Sequence, residues 1–347
     1  MLGCGPIAQA AHFESATKAR NAELYAICDV AEDLLARMAC THSPTRTFRD
    51  YDEMLADPEL DAVIVATSDF FHVPAAKAAL LAGKHVLCEK PLGISIEEVE
   101  ELRQIVRQSG RVLQVGHMKR YDAGLQSARE FVKGEMGELL ALKAWYCDST
   151  HRYELTDAVQ PLIIKSERAR RPTTDPKADR EQYFMGTHGS HLLDTARYLG
   201  GEIVEVDARL RQRFGAYCWF IDVSFASGAL GHLDLTVPVR MDWHEGFQIY
   251  GEHGSVIGKT FNPWLYKTSD VEIFHETTGS ISRVLGADGH FYRRQLEGFA
   301  DTVLNGAPMT GADVDDGVAS VYALAAITLS VRTRKPVRLD AVSGSLA

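Results

Sequence analysis

Over the first 117 residues, short apolar runs alternate with segments whose apolar residues recur at helical spacing. The runs are AELYAICD at 22–29, DAVIVAT at 61–67, HVLCEKP at 85–91 and RVLQVGH at 111–117. Continuous apolar runs of this length suit strands covered on both faces. Between them, residues 94–110 place Ile96, Val99, Leu102 and Val106 on one helix face, and VPAAKAALLAG at 73–83 ends in a glycine that can cap a helix. This rhythm predicts a parallel, doubly wound sheet, whose ligands lie beyond the C-terminal ends of its strands.

The opening MLGCGPIAQAAHF then has a use. Gly3 permits a tight turn, Gly5 lets backbone approach a pyrophosphate, and Ala8 stands where a third glycine would let helix and strand pack closely. Pro6 and Ile7 begin the helix whose amides and dipole face the ligand. Asp29 ends the next strand at the distance expected of the acid that grips an adenosine ribose; its competing role is a helix N-cap. Val30 follows it with no arginine immediately after, so NAD is favoured over NADP, whose 2′-phosphate would meet a carboxylate. Only Met1 and Leu2 precede Gly3, so the first strand is either cut short at its start or unusually short. The sheet is expected to form with a weak point there.

A chain of 347 residues exceeds one ordinary core and predicts two domains. The net charge of −10, without a dense basic block, argues against a nucleic-acid or anionic-membrane surface. No apolar stretch reads as long enough to span a bilayer, and no cleavable leader opens the chain. The scattered cysteines 4, 28, 40, 88, 147 and 218 read as free thiols in a reducing, cytoplasmic compartment.

Several longer motifs resemble the glucose-fructose oxidoreductase and inositol dehydrogenase (Gfo/Idh/MocA) family through nearly the whole chain. They are GCGPIA, ICD at 27–29, YDEMLADPELDAVIVATSDFFH at 51–72, AGKHVLCEKPLG at 82–93, VGHMKRYD at 115–122 and GSHLLDTARYLGG at 189–201. The resemblance implies an N-terminal NAD-binding Rossmann domain, 1–120. A C-terminal α/β domain, 121–347, would follow, built on a large, mainly antiparallel sheet for substrate binding and oligomerisation. Its last elements are expected to pack back on the first domain. The runs GELLALKAWYCD, GEIVEVDARLRQR, YCWFIDVSFASG and ALGHLDLTVPV alternate as strands of such a sheet should. Pro161 and the basic stretch 165–180 read as a long connection or lid.

The resemblance assigns Lys90, of the EKP motif, to the reacting hydroxyl and nicotinamide, with Glu89 orienting it or the cofactor. It makes His191 the second catalytic residue, a base suited to a hydroxyl proton. The aspartate expected four positions earlier is Thr187, which cannot replace a charge. His188 shares the helix face and can supply part of that polar role, and Asp194 can orient His191 or serve a domain contact. The HxxHxxD spacing of 188, 191 and 194 lacks a zinc framework, so no metal is expected. Thr67, Ser68 and His72 follow the third apolar strand and face the dinucleotide, Ser68 standing where the family has proline. Lys119, Arg120 and Tyr121, with His188, are candidates for substrate oxygens or for salt bridges across the domain junction. Trp145, Tyr146, Trp243 and His244 offer aromatic faces for a sugar or cyclitol, or simply core.

The expectation is an NAD-dependent oxidoreductase moving hydride between nicotinamide and a secondary alcohol of a sugar, sugar derivative or cyclitol, assembled as a homodimer or homotetramer. Two alternatives stand beside it: a cofactor-recycling sugar-modifying enzyme, and a nucleotide-sensing protein that has lost its chemistry.

Overall fold

The computed structural model describes residues 1–149, 162–169, 178–286 and 288–343. Pro161 and positions 170–177 of the expected connection lie outside them. The first sheet is parallel and contains β1 (Ala26–Cys28), β2 (Arg46–Phe48), β3 (Ala62–Val65), β4 (His85–Cys88) and β5 (Leu113–Val115). The pairs β2-β1 and β3-β4-β5 meet through Leu2, which makes isolated parallel bridges to Cys28 and Val65. The central strand is thus a single bridging residue. Five backbone contacts hold it: the Met1 amine to Ala26 O, Cys28 N to Met1 O, Leu2 N to Ile64 O, Gly3 N to Cys28 O and Ala66 N to Leu2 O, all 2.8–2.9 Å. The expected weak point lies at the centre of the sheet.

Local chemistry explains the covering helices. The helix Ile96–Ser109 starts at Ser95, whose hydroxyl accepts from the Glu98 amide, and stops at Gly110 with φ +64°. It buries Ile96, Val99 and Leu102. The strand β2 and the helix Glu32–His42 were not legible in the sequence pattern; RTF has two exposed residues of three and no apolar run.

The second sheet has nine strands, in the order β13-β12-β11-β10-β6-β9-β8-β7-β14. These are β6 (Leu139–Ser149), β7 (Ile203–Arg213), β8 (Ala216–Phe225), β9 (Leu230–Val239), β10 (His244–Gly251), β11 (Gly254–Thr260), β12 (Asp270–His275), β13 (Ser280–Arg283) and β14 (Val337–Arg338). Only the β6–β9 pair is parallel. Strict alternation in β8 sends Tyr217, Trp219, Ile221, Val223 and Phe225 inward. Three helices cover that face: Ala123–Gly134, Ser190–Gly200 and Val314–Thr333.

The helix Val314–Thr333 also packs on β5 and on Ile96–Ser109. Its Gly317 lies so close to Leu92 and Val115 that a Cβ there would fall 2.7 and 2.8 Å from their side chains. Just before it, Ala312 bridges Val115 at the edge of the first sheet. Contrary to the sequence expectation, this helix is long and apolar enough, by length and composition, to cross a membrane; 61% of its apolar window is buried inside the protein.

One charged network ties these parts together. Arg120 donates to both Asp194 oxygens (2.6–3.2 Å) and to Asp316 Oδ2 (2.6 Å), and Arg197 donates to Asp316 Oδ1 (3.0 Å). Burial alone would raise the Asp316 carboxyl; the two guanidiniums outweigh it and hold the group at about 2. Arg120 and Asp194 are both buried, so removing one partner strands a charge. Arg120→Met is expected to cost about 3–5 kcal/mol in urea unfolding, and a loss below about 1 kcal/mol, the range of an exposed pair, would contradict this account.

Candidate active site

The glycine turn is built as a cradle. Gly3 has φ +92°, and a Cβ on it would lie 2.7 Å from the Ala66 carbonyl oxygen, so only glycine fits. A Cβ on Gly5 would meet nothing within 4 Å. That open space, at the C-terminal ends of the parallel strands, suits the pyrophosphate of a dinucleotide. Ala8 is fully buried at the start of the helix. Asp29 caps no helix: the helix Glu32–His42 begins after Ala31 with no side-chain cap bond, while Asp29 Oδ2 accepts from the Cys4 amide and Oδ1 from the Ala31 amide, each at 2.8 Å. A carboxylate has about four acceptor positions, so capacity for ribose hydroxyls remains.

The opening helix begins with a π turn, Ala8–His12, continuing as Phe13–Lys18. Two residues of that turn, unremarked in the sequence, belong to the site. His12 Nε2 donates to Glu89 Oε1 at 2.8 Å. Gln9 clasps the segment 162–169: its Nε2 donates to the carbonyls of Cys4 (2.8 Å) and Ile164 (2.9 Å), and its Oε1 accepts from Ile164 N (2.9 Å). Ser166 adds a bond to Asp33 at 2.7 Å. Ile164 therefore lies against the opening helix, and Ser166, at the start of the expected connection, lies against the helix Glu32–His42.

Lys90, Thr187, His188 and His191 meet at a cleft of about 460 Å³ between the domains. Pro6, Ile7, Thr67 and His72 line its cofactor side, and Tyr146, Trp243, Trp264 and Tyr292 supply aromatic walls. A larger groove of about 710 Å³ runs past Met1 at the opposite, N-terminal ends of the strands and contains none of this cluster. Among the described residues no group of three or more His, Cys, Asp or Glu is arranged to hold a metal ion.

Lys90 follows β4. Its Nζ donates to the Thr187 carbonyl at 3.2 Å, and its backbone amide donates to Glu89 Oε2 at 3.1 Å. Burial pushes Glu89 up, but the bond from His12 and the charges of His12, Lys90 and His72 prevail and leave it below its ordinary value. Glu89 is a carboxylate that holds the Lys90 loop. Thr187 sits in a second π turn, Met185–Gly189. Its hydroxyl donates to Tyr183 O at 2.6 Å within the helix, so its carbonyl, not its side chain, meets Lys90. Wide π turns frequently mark functional sites.

His191 is buried and stacks parallel to Tyr146, with ring centroids 6.1 Å apart. Burial first, then the Lys90, Lys119, His117 and His188 charges, pushes its pKa well below 6.5. It is a neutral imidazole at neutral pH, able to accept a proton. Asp194 does not orient it; that carboxylate is taken by Arg120. His117 Nδ1 lies 3.7 Å from Asp194 on the same network.

Lys119 forms a buried ion pair with Glu245 and lies 4.6 Å over the Tyr146 ring. Burial moves the lysine down and the carboxyl up, each opposed by the partner. Arg120 and Tyr121 do not line the cleft: Arg120 belongs to the junction network, and Tyr121 donates to Gln114 at 2.9 Å. Both ring nitrogens of His72 face carbonyls, Pro91 at 2.7 Å and Thr67 at 3.2 Å, so it ties two loops at the cofactor edge. The Ser68 hydroxyl is buried beside them with no bonding partner among the described residues.

Residues 1–117 match the family described as "Oxidoreductase family, NAD-binding Rossmann fold", and residues 177–339 match "Oxidoreductase family, C-terminal alpha/beta domain". The chain is 25% identical to a myo-inositol 2-dehydrogenase of Thermotoga maritima over 364 residues, covering 99% of each. It is 30% identical to an inositol 2-dehydrogenase 2 of Saccharopolyspora erythraea, covering 96% of this chain and 92% of that one. Its fold superposes on a levoglucosan dehydrogenase solved with NADH and levoglucosan, with a TM-score of 0.78 at 21% identity over 97% of this chain and 98% of that one.

The open space at Gly5 yields a test. Gly5→Val is expected to leave the unfolding midpoint unchanged and weaken NADH binding, read by fluorescence titration, by tenfold or more (about 1.4 kcal/mol). Wild-type affinity in the variant would remove the turn from the cofactor site.

Proposed function

The chain belongs to the Gfo/Idh/MocA oxidoreductase family, and on that footing we propose that it is an NAD-dependent dehydrogenase of a secondary alcohol in a sugar, sugar derivative or cyclitol. The observation that carries this reading is the meeting of Lys90 and a neutral His191 in an aromatic-walled cleft beside the glycine cradle. Bound nicotinamide supplies the hydride acceptor. His191 receives the hydroxyl proton, and the Lys90 ammonium orients the oxygen and stabilises its developing charge. Glu89, held by His12, fixes the Lys90 backbone, and the Thr187 carbonyl fixes its ammonium. The aromatic walls give flat apolar faces to a sugar-like ring and exclude water.

NAD rather than NADP is supported by Asp29, whose carboxylate would repel a 2′-phosphate. The clasp of Gln9 on Ile164 favours one variant of this reading, in which the cofactor is retained and recycled between turnovers. A homodimer or homotetramer is supported by the open face of the nine-stranded sheet, where Phe220, Leu230 and Ile257 are exposed. Six free cysteines accord with a cytoplasmic protein.

The test is NADH absorbance during incubation with NAD, or NADP in parallel, and a panel including myo-inositol, scyllo-inositol, levoglucosan and simple glycosides. One stereochemical class should react with NAD, and Lys90→Ala and His191→Ala should each lower kcat by about 10²–10⁴-fold. NADH binding without turnover on any polyol would reject the dehydrogenase. Because the fold holds His191 below 6.5, the acid limb of kcat/KM for oxidation should fall below pH 6.5, activity being lost as the imidazole protonates. A limb at or above 6.5 would contradict its assignment as the base.

A further inference from the structure

Two parts of the cleft are held from one helix. Tyr292 meets the His12 ring edge-on at 5.6 Å, and Trp264 stacks on Tyr292 at 5.6 Å with 13° between their planes. His12 in turn bonds Glu89, which holds the Lys90 amide. A continuous set of contacts therefore runs from the Lys90 loop through the opening helix to Trp264. Trp264 itself comes from the second domain, on the loop between β11 and β12. There Pro263–Leu265 makes a single turn, capped by Asn262 Oδ1 accepting from the Trp264 amide at 3.1 Å. Pro263 and Trp264 both line the cleft.

Stacking between rings fixes position loosely, and a directional bond follows two residues later. Tyr266 Oη donates to Glu14 Oε2 at 3.0 Å, in the first turn of the helix Phe13–Lys18. Tyr266 sits at φ +50°, a conformation that a bulky residue keeps only where its surroundings hold it. Those surroundings are specific. The Tyr266 ring lies 4.7 Å from that of His290, whose Nε2 is 3.8 Å from Glu14 Oε2, and Lys18 pairs with Glu14 along the helix. The Tyr266 carbonyl leaves no room for a Cβ on Gly289, so the segment leading to Tyr292 packs on the Tyr266 backbone. Burial pushes Glu14 up, but the bonds from Lys18 and Tyr266 and the charges of Lys18 and His290 prevail and keep it an acceptor. Burial first, then the Glu14 bond, pushes the Tyr266 hydroxyl up to about 12 and keeps it a donor. His12 thus steadies the lysine loop, and Glu14, two positions on, steadies the loop of Trp264.

We propose that Tyr266 and Glu14 form a latch between the domains that positions Trp264, the wall on which the sugar-like ring lies, at a set distance from Lys90. Neither is among the described residues that line the cleft, so both are positioning residues that act through Trp264. This rests on the dehydrogenase reading above and extends it to how the substrate is held.

The test is a mutant cycle of Tyr266→Phe and Trp264→Ala, with myo-inositol as probe or another panel polyol that turns over. Tyr266→Phe removes the bond to Glu14 alone and should raise KM about three- to tenfold while lowering kcat less than about threefold. Trp264→Ala should raise KM at least as much. Adding Tyr266→Phe to it should cost nothing further, because the latch acts through the tryptophan. Glu14→Gln, which keeps an acceptor oxygen, should lose less than Glu14→Ala. Unchanged NADH affinity and unfolding midpoint in Tyr266→Phe exclude a general folding defect; if that variant does not fold, Glu14→Ala takes its place in the cycle. Additive losses in KM, or a loss in kcat with KM intact, would overturn the proposal. If the wild type oxidises no polyol, the dehydrogenase reading fails, and the latch is decided without turnover. Amide hydrogen exchange over residues 261–268, with NADH bound, should then be about tenfold faster in Tyr266→Phe; exchange at the wild-type rate would overturn it.

Discussion

The site depends on Arg120. Its guanidinium joins the turn after β5 to Asp194 on the helix of His191 and to Asp316 at the head of the long C-terminal helix. Of those elements, the helix Ser190–Gly200 carries His191, and the turn after β5 leaves the sheet whose strand β4 is followed by Lys90. Lys90 comes from the parallel sheet and His191 from the second domain, 101 positions later in the chain (191 − 90). Charges buried in pairs are geometrically demanding, because each must keep its partner to offset lost hydration. The network therefore sets the distance between the domains more sharply than apolar packing alone would. The capping box at Asp313 and Asp316 adds to this, since Asp316 both caps its helix and accepts from two arginines.

At the cleft a backbone carbonyl takes the place expected of a side-chain carboxylate. The carbonyl of Thr187 receives the Lys90 ammonium, and the Thr187 hydroxyl turns back into its helix. Two π turns, one under the glycine cradle and one beneath His188, bring Gln9, His12, Thr187 and His188 to the junction. A wider turn changes which groups leave the helix, so a single threonine can stand where a carboxylate was expected while the lysine keeps an acceptor.

On the cofactor side, Gln9 clasps a short piece of the long connection to the opening helix, and Ser166 within that piece bonds Asp33 on the helix Glu32–His42. The Gln9 side chain is buried and satisfies both the backbone donor and the backbone acceptor of one residue, Ile164, as a neighbouring strand would. The cofactor helix is thereby tied to a residue 155 positions further along the chain.

The sequence by itself determined the doubly wound opening domain, its glycine turn and the alternating strands β6 to β9, and through the family resemblance it pointed to Lys90 and His191. The first three follow from local rules: apolar periodicity reports which face is covered, and only glycine suits the backbone at position 3. Strands β2 and β10 to β13 escaped notice because they are short, glycine-bearing or half exposed. Periodicity also says that a residue is buried without saying what it meets. That Glu89 meets His12, Lys119 meets Glu245, Gln9 meets Ile164 and Arg120 leaves the cleft for Asp194 was decided only by the tertiary structure. Buried polar groups must find partners, and those partners lie 77, 126, 155 and 74 residues away.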